Sequence, residues 1–135
     1  FVTCAPEAKK EINADVIINP VVGPEAITGS TRMKAGTATK LVLNTLTTAA
    51  MIKTGKVYGN LMVDLRATNN KLQDRSERII MEVTALPRPA ARRLLKAANG
   101  RVKAAIVMHC KKTGLKNAQK ILNQSGGLLR KAIER

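Results

Sequence analysis

Apolar positions along the chain first follow a two-residue or unbroken pattern and later a helical one. Phe1 to Cys4 and Asp15-Val16-Ile17-Ile18-Asn19 are short runs rich in β-branched side chains, which predicts two strands. The polar segment between them, residues 6–13, predicts a helix with Ala8 and Ile12 turned inward. Strand, helix and strand in alternation argue for a parallel sheet covered by helices. Two prolines and two glycines then punctuate a loop over residues 20–30. A long helix is expected after it, over residues 31–54, with Ser30 as N-cap and Gly55 as the left-handed residue past its end. At 1.5 Å per residue it would be about 36 Å long. Leu41, Val42, Leu43, Leu46, Ala49, Ala50, Met51 and Ile52 leave its second half little polar face, which predicts a helix buried nearly all round, in a core or a dimer interface.

The rest of the pattern is helical and often interrupted. Leu72, Ile79, Ile80 and Val83 mark an amphipathic helix capped by residues 68–70 and stopped near Ala85 by Pro87 and Pro89. Residues 90–98 make a second helix, closed by Asn99-Gly100. Val102, Ile106, Val107 and Cys110 mark a third, and Ala118, Ile121 and Leu122 a fourth ended by Gly126-Gly127. Leu128, Leu129, Ala132 and Ile133 add a last turn or two. A small helical bundle with basic outer faces is expected.

Charge sharpens this division. Residues 1–85 carry 11 basic and 8 acidic side chains, a balance of +3, whereas residues 86–135 carry 13 basic and one acidic, a balance of +12. The surface must attract anions. With only Phe1 and Tyr58 aromatic, the stacking platforms of single-strand nucleic-acid binders and the aromatic girdles of membrane proteins are missing. No apolar run approaches the roughly 20 residues of a membrane span. Cys4, Cys110 and the single His109 have no metal-ligand spacing, so a zinc site and a disulfide framework are both excluded, and a reducing cytoplasm fits best. Both cysteines read as buried small apolar residues, and His109 as a packed or surface histidine. The chain opens on an apparent strand entered midway and not on Met, so it reads as the C-terminal part of a longer protein. Open strand edges in such a piece predict poor solubility.

The segment with chemistry runs from Gly23-Pro24-Glu25 through Gly29-Ser30-Thr31-Arg32-Met33-Lys34. A glycine turn, adjacent hydroxyls and two cations stand at the start of a long helix, where free N–H groups favour an anion such as phosphate. Cations there oppose the helix dipole, a local conflict typical of functional sites. Lys71, at the start of the next helix, is in the same position. Neither Gly-x-Gly-x-x-Gly nor a Walker sequence occurs, so nucleotide binding has no support. The plainer reading is a capped helix with a basic first turn, with Glu25 holding only the loop and Lys71 solvated.

Residues 23–38, Lys40-Leu41-Val42-Leu43-Asn44, Gly59-Asn60-Leu61-Met62-Val63-Asp64 and Thr68-Asn69-Asn70-Lys71-Leu72 closely resemble the N-acetylmuramic acid 6-phosphate etherases, and in altered form the glucokinase regulatory protein. The tail around residues 99–106 is similar to the C-terminal domain of these etherases, whose shape is like a ubiquitin-associated (UBA) three-helix module. The resemblance implies an α/β fold: the C-terminal part of a sugar isomerase (SIS) α/β/α sandwich with a parallel sheet over residues 1–66, a connecting helix over 67–85, and a basic UBA-like bundle over 86–135. It implies a homodimeric lyase of amino-sugar and peptidoglycan recycling, without a cofactor or metal. Family members remove the C2 proton, expel D-lactate from C3 and add water, giving N-acetylglucosamine 6-phosphate. The family's acid and base glutamates lie in a half absent from this chain, so the piece alone is expected to be inactive. By resemblance, Glu25, Ser30, Thr31 and Arg32 belong to the substrate pocket wall and Lys71 is the catalytic lysine. Two other readings stay open: a non-catalytic sugar-phosphate sensor, and a nucleic-acid-binding tail, which the scatter of its basic residues disfavours.

Overall fold

Helices make up most of the chain, and some of them end at the glycine and proline signals of the sequence, while two close on left-handed Ala85 and Lys112. The computed structural model describes residues 1–10 and 12–134. It contains α1 (Lys34–Lys53), a hairpin of β1 (Val57–Tyr58) and β2 (Leu61–Met62), α2 (Asn70–Thr84), α3 (Arg88–Ala97), α4 (Val102–Cys110), α5 (Leu115–Gln124) and α6 (Leu129–Glu134). Two compact units divide it, Phe1–Ala50 and Met51–Arg135.

In the first unit the two expected strands meet at a single parallel bridge, Val2 with Ile18. Thr3 N donates to Ile18 O at 3.1 Å and Ile18 N to Phe1 O at 2.9 Å. Asn19 Nδ2 reinforces the pair by donating to Thr3 O at 2.7 Å. Two short parallel segments without further neighbours do not extend into a ladder. The helix expected over residues 6–13 is a 3-10 turn, Glu7–Lys10, within the described residues.

Helix α1 begins at Lys34, three residues later than expected. Gly29, at φ 81°, and the Ser30 N–H, bonded back to Ile27 O at 3.0 Å, hold Ser30 in the preceding turn, so it is not the cap. At the other end Gly55 takes the expected left-handed conformation, φ 75°. The burial expected for α1 is not found: none of its residues is buried, and Leu41 and Leu46 are 61% and 47% exposed. An apolar helix is buried only where neighbours close over it, and none of the described residues does so.

The core lies in the second unit. Its centre is α4, where Val102, Ala104, Ala105, Ile106 and Val107 are all buried, as a helix apolar on every side requires. Helices α2, α3, α5 and α6 pack around it, adding Ile80, Leu95, Ala118 and Leu129 to the core. Each such leucine or isoleucine side chain contributes about 1.5–3 kcal/mol on burial. Cys110, expected inside, is exposed at the end of α4, where the last turn has run past the packed layer.

Local chemistry sets the helix ends. Asn69 caps α2, its Oδ1 accepting from Leu72 N at 2.8 Å. Ala85 closes it at φ 57° with its N–H on Met81 O, and Pro87 starts α3. The β1–β2 hairpin turns on Gly59, at φ 59°, and Asn60. Arg130 of α6 sits over the ring of Tyr58, 5.7 Å from its centroid.

Candidate functional site

The first unit contains a cavity of about 630 Å³ whose lining includes Cys4, Gly23, Glu25, Thr31, Gly36 and Thr39. Glu25 is the organising residue. Its Oε2 accepts from Lys34 N and its Oε1 from Ala35 N, both at 3.0 Å. The carboxylate therefore caps α1 from a distance in sequence. Those two N–H groups, with the nearby Lys34 ammonium, hold the Glu25 carboxyl below the usual carboxylate range. Lys34 Nζ donates to Pro24 O at 2.8 Å and fastens the loop to the same helix end.

This arrangement alters what the helix start can do. The N–H groups that sequence alone offers to a phosphate are here bonded to a protein carboxylate. The cavity presents instead the hydroxyls of Thr31 and Thr39, and the oxygens of Glu25, which can accept sugar hydroxyls. Cys4 Sγ lies 3.6 Å from Ala35 O and 3.7 Å from Thr39 Oγ1, which fixes the thiol against α1. Of the four pocket-wall residues expected from sequence, Glu25 and Thr31 share this cavity. Ser30 is half-buried in the turn before α1 and Arg32 is exposed.

Lys71 belongs to the second unit. It lines a cleft of about 410 Å³ with Asn60, Leu61, Arg75, Arg78 and Glu82. Positions 71, 75 and 78 fall on one face of α2. Sequence reading singled out Lys71 and passed over Arg75, Arg78 and Asn60, although the i, i+4, i+7 spacing of the cations was visible. It also passed over the hairpin that supplies Asn60, whose Gly-Asn turn between apolar pairs was the available signal.

Elsewhere on α2 a carboxylate network braces that helix on α3. The Glu77 side chain is 1% exposed and forms ion pairs with Arg92, Nε to Oε1 at 2.7 Å, and with Arg88 at 3.3 Å. Arg88 also pairs with Asp74 at 2.6 Å, and Asp74 with Arg78. Arg92 first, and then the Gln73 amide and Arg88, depress the Glu77 titration against the opposing effect of burial. Among the described residues no group of His, Cys, Asp and Glu is placed to hold a metal ion, and no helix is long and apolar enough to cross a membrane.

No protein-family model matches the chain. Curated proteins do, and by sequence the chain is a relative of etherases. The homologues are N-acetylmuramic acid 6-phosphate etherases, and the chain matches their C-terminal part. It is 53% identical over 133 residues to the enzyme of that name from Clostridium botulinum (strain Loch Maree / Type A3), covering 98% of this chain and 44% of the relative. Identity is 51% over 132 residues to the one from Pasteurella multocida (strain Pm70), covering 98% and 44%. It is 49% over 134 residues to the one from Synechocystis sp. (strain ATCC 27184 / PCC 6803 / Kazusa), covering 99% and 44%. The chain thus spans less than half the length of these relatives. Their names lend no support to the sensor or nucleic-acid readings.

Proposed function

We propose that the chain forms part of an N-acetylmuramic acid 6-phosphate etherase, a lyase that cleaves the D-lactyl ether of its sugar-phosphate substrate. The observation that carries this is the 53% identity over 98% of the chain. In this reading residues 1–66 belong to an SIS sandwich with a parallel sheet, to which the Val2–Ile18 bridge lends support. Residues 67–85 connect it to a UBA-like bundle over 86–135. The reaction removes the C2 proton beside the C1 aldehyde, breaks the C3–O bond as lactate leaves with the electron pair, and adds water at C3 of the unsaturated aldehyde. Acid and base glutamates belong to the other part of the enzyme.

Glu25, Ser30, Thr31 and Arg32 serve as pocket wall. Glu25 keeps the loop at residues 23–33 seated on α1 while its outward lone pairs accept sugar hydroxyls, and the Thr31 hydroxyl donates to the ligand. Lys71 stabilises negative charge on phosphate or on the departing lactate oxygen. Its row of cations with Arg75 and Arg78 supports that role. No cofactor is needed for proton transfer and elimination. A homodimer in the cytoplasm completes the reading, supported by the exposed apolar residues of α1 and by two unpaired cysteines.

Release of D-lactate from N-acetylmuramic acid 6-phosphate by the whole protein tests the assignment. Turnover is expected, and Lys71→Ala is expected to lower kcat at least tenfold with the fold intact by circular dichroism. No lactate from the whole protein overturns the activity, while unchanged turnover in the variant overturns only the role of Lys71.

A further inference from the structure

A third concavity carries no assignment. It is a cleft of about 520 Å³ in the second unit, between the segment following β2, the start of α4 and one face of α5. Neither Glu25 nor Lys71 is part of it. Its polar lining includes Asp64, Arg66, Arg101, Lys103, Gln119 and Asn123.

Two of these residues are in an unusual relation. Arg66 and Arg101 are direct partners in an antiparallel bridge, so their side chains leave the backbone on the same face. Like charges facing each other in this way destabilise the pairing. Asp64 is paired with lysines and with neither arginine, its Oδ1 2.9 Å from Lys103 Nζ and its Oδ2 3.9 Å from Lys56 Nζ. Neither guanidinium has a carboxylate partner among the described residues, and both line the same cleft.

Lys103, its side chain only 14% exposed, adds a third cation to the lining, fixed by Gly127 O at 3.2 Å as well as by Asp64. The cleft is thus cationic, with Lys103 fixed in its wall and two exposed planar forks that no carboxylate holds, groups that suit oxyanions. A phosphate group alone would fill little of 520 Å³. The remaining lining pairs the amides of Gln119 and Asn123 with Leu65 and Leu122, which suits a hydroxylated body the size of a sugar.

We propose that this cleft binds a phosphomonoester carried on a sugar-sized molecule, with the phosphate clamped between Arg66 and Arg101. The ligand resolves the repulsion within the bridge, so its binding also tightens the junction between the segment after β2 and α4. The site goes beyond the etherase reading and stands whether or not that reading holds.

The test uses the whole protein carrying Lys71→Ala, which removes the candidate phosphate contact of the cleft beside Asn60 and Arg75. Amide NMR shifts are followed on titration with glucose 6-phosphate, glucose, inorganic phosphate and a DNA duplex. Glucose 6-phosphate is expected to saturate at one equivalent, moving the amides of Leu65, Gln119 and Asn123, with inorganic phosphate weaker and glucose inert. Adding R66Q and R101Q is expected to weaken binding at least tenfold, whereas K116Q with K120Q, an equal loss of charge on exposed positions of α5, changes it less than twofold. Thermal melts confirm that both pairs of variants are folded. Equal weakening by both pairs, binding of glucose itself, unmoved amides at Leu65, Gln119 and Asn123, or a duplex that outcompetes the sugar phosphate would each overturn the proposal.

Discussion

Glu77 and Arg92 join α2 to α3 through an ion pair with one end buried and one end in water. The carboxylate is almost wholly enclosed, while the guanidinium that reaches it at 2.7 Å is 61% exposed. A buried acid is tolerable only while its partners stay in place, since removing one partner leaves a charge or a void where packing was complete. Arg88 and Gln73 occupy the other approaches to the same carboxylate.

Glu77→Ala is therefore expected to destabilise the second unit by about 3 kcal/mol, the low end of what breaking a buried pair costs, because both arginines can then turn to solvent. Arg92→Ala should cost at least as much, because it leaves the enclosed carboxylate with only the longer Arg88 contact at 3.3 Å. Urea unfolding followed by far-ultraviolet circular dichroism gives both values. An effect of Arg92→Ala well below that of Glu77→Ala would contradict the network.

The same groups set the acid response. Arg92 lowers the titration of Glu77, and Arg88 with Arg78 lowers that of Asp74, from ordinary values near 4.5 and 3.8. The unfolded chain then binds more protons than the native one at acid pH, so stability rises with pH. The contribution is complete above about pH 4.5 and is lost as pH falls through the depressed native values. Urea midpoints between pH 2.5 and 7 should show this loss, flattened in the D74N/E77Q double variant.

Glu25 fixes the start of α1 through the N–H groups of Lys34 and Ala35. Glu25→Ala is expected to speed amide hydrogen exchange at both residues and in the loop over residues 23–33, while exchange in α4 stays unchanged. Glu25→Gln, which keeps one acceptor oxygen, should fall between. Exchange measured by mass spectrometry at residue resolution reads the difference.

Gly55 stands at φ 75°, and a methyl group added there would lie 2.8 Å from Gly127 O. Gly55→Ala carries both a left-handed strain and a clash with backbone, together about 2 kcal/mol. A lowered midpoint in chemical denaturation checks it. Gly114→Ala, with open space around that position and no positive φ, is the control and should cost less, about half a kcal/mol for the poorer N-cap of α5.

The helices of the second unit were legible because their signals are local. Asn69, Pro87, Asn99-Gly100 and Gly126-Gly127 punctuate the chain where the helices end, and the spacing of Ile79, Ile80, Ile106 and Val107 names the buried face. The first unit was less legible. Whether Val16 or Leu41 is covered depends on what packs against it, and periodicity reports only that a side chain is apolar. Ser30 looked like the cap of α1 because caps are usually adjacent in sequence, whereas Glu25 reaches the same N–H groups across nine residues. Site residues followed the same rule. Lys71 stood out at a helix start, but the pairing of Arg66 with Arg101 joins positions 35 residues apart, and no local pattern announces it.

Arg130 over Tyr58 makes the protein its own optical probe. With one tyrosine and no tryptophan in the chain, ultraviolet emission comes from a single ring, on the hairpin, touched by the final helix. A change in that signal reports the undocking of the C-terminal turn from the hairpin, with no dye or label, and stays silent about events confined to residues 1–50.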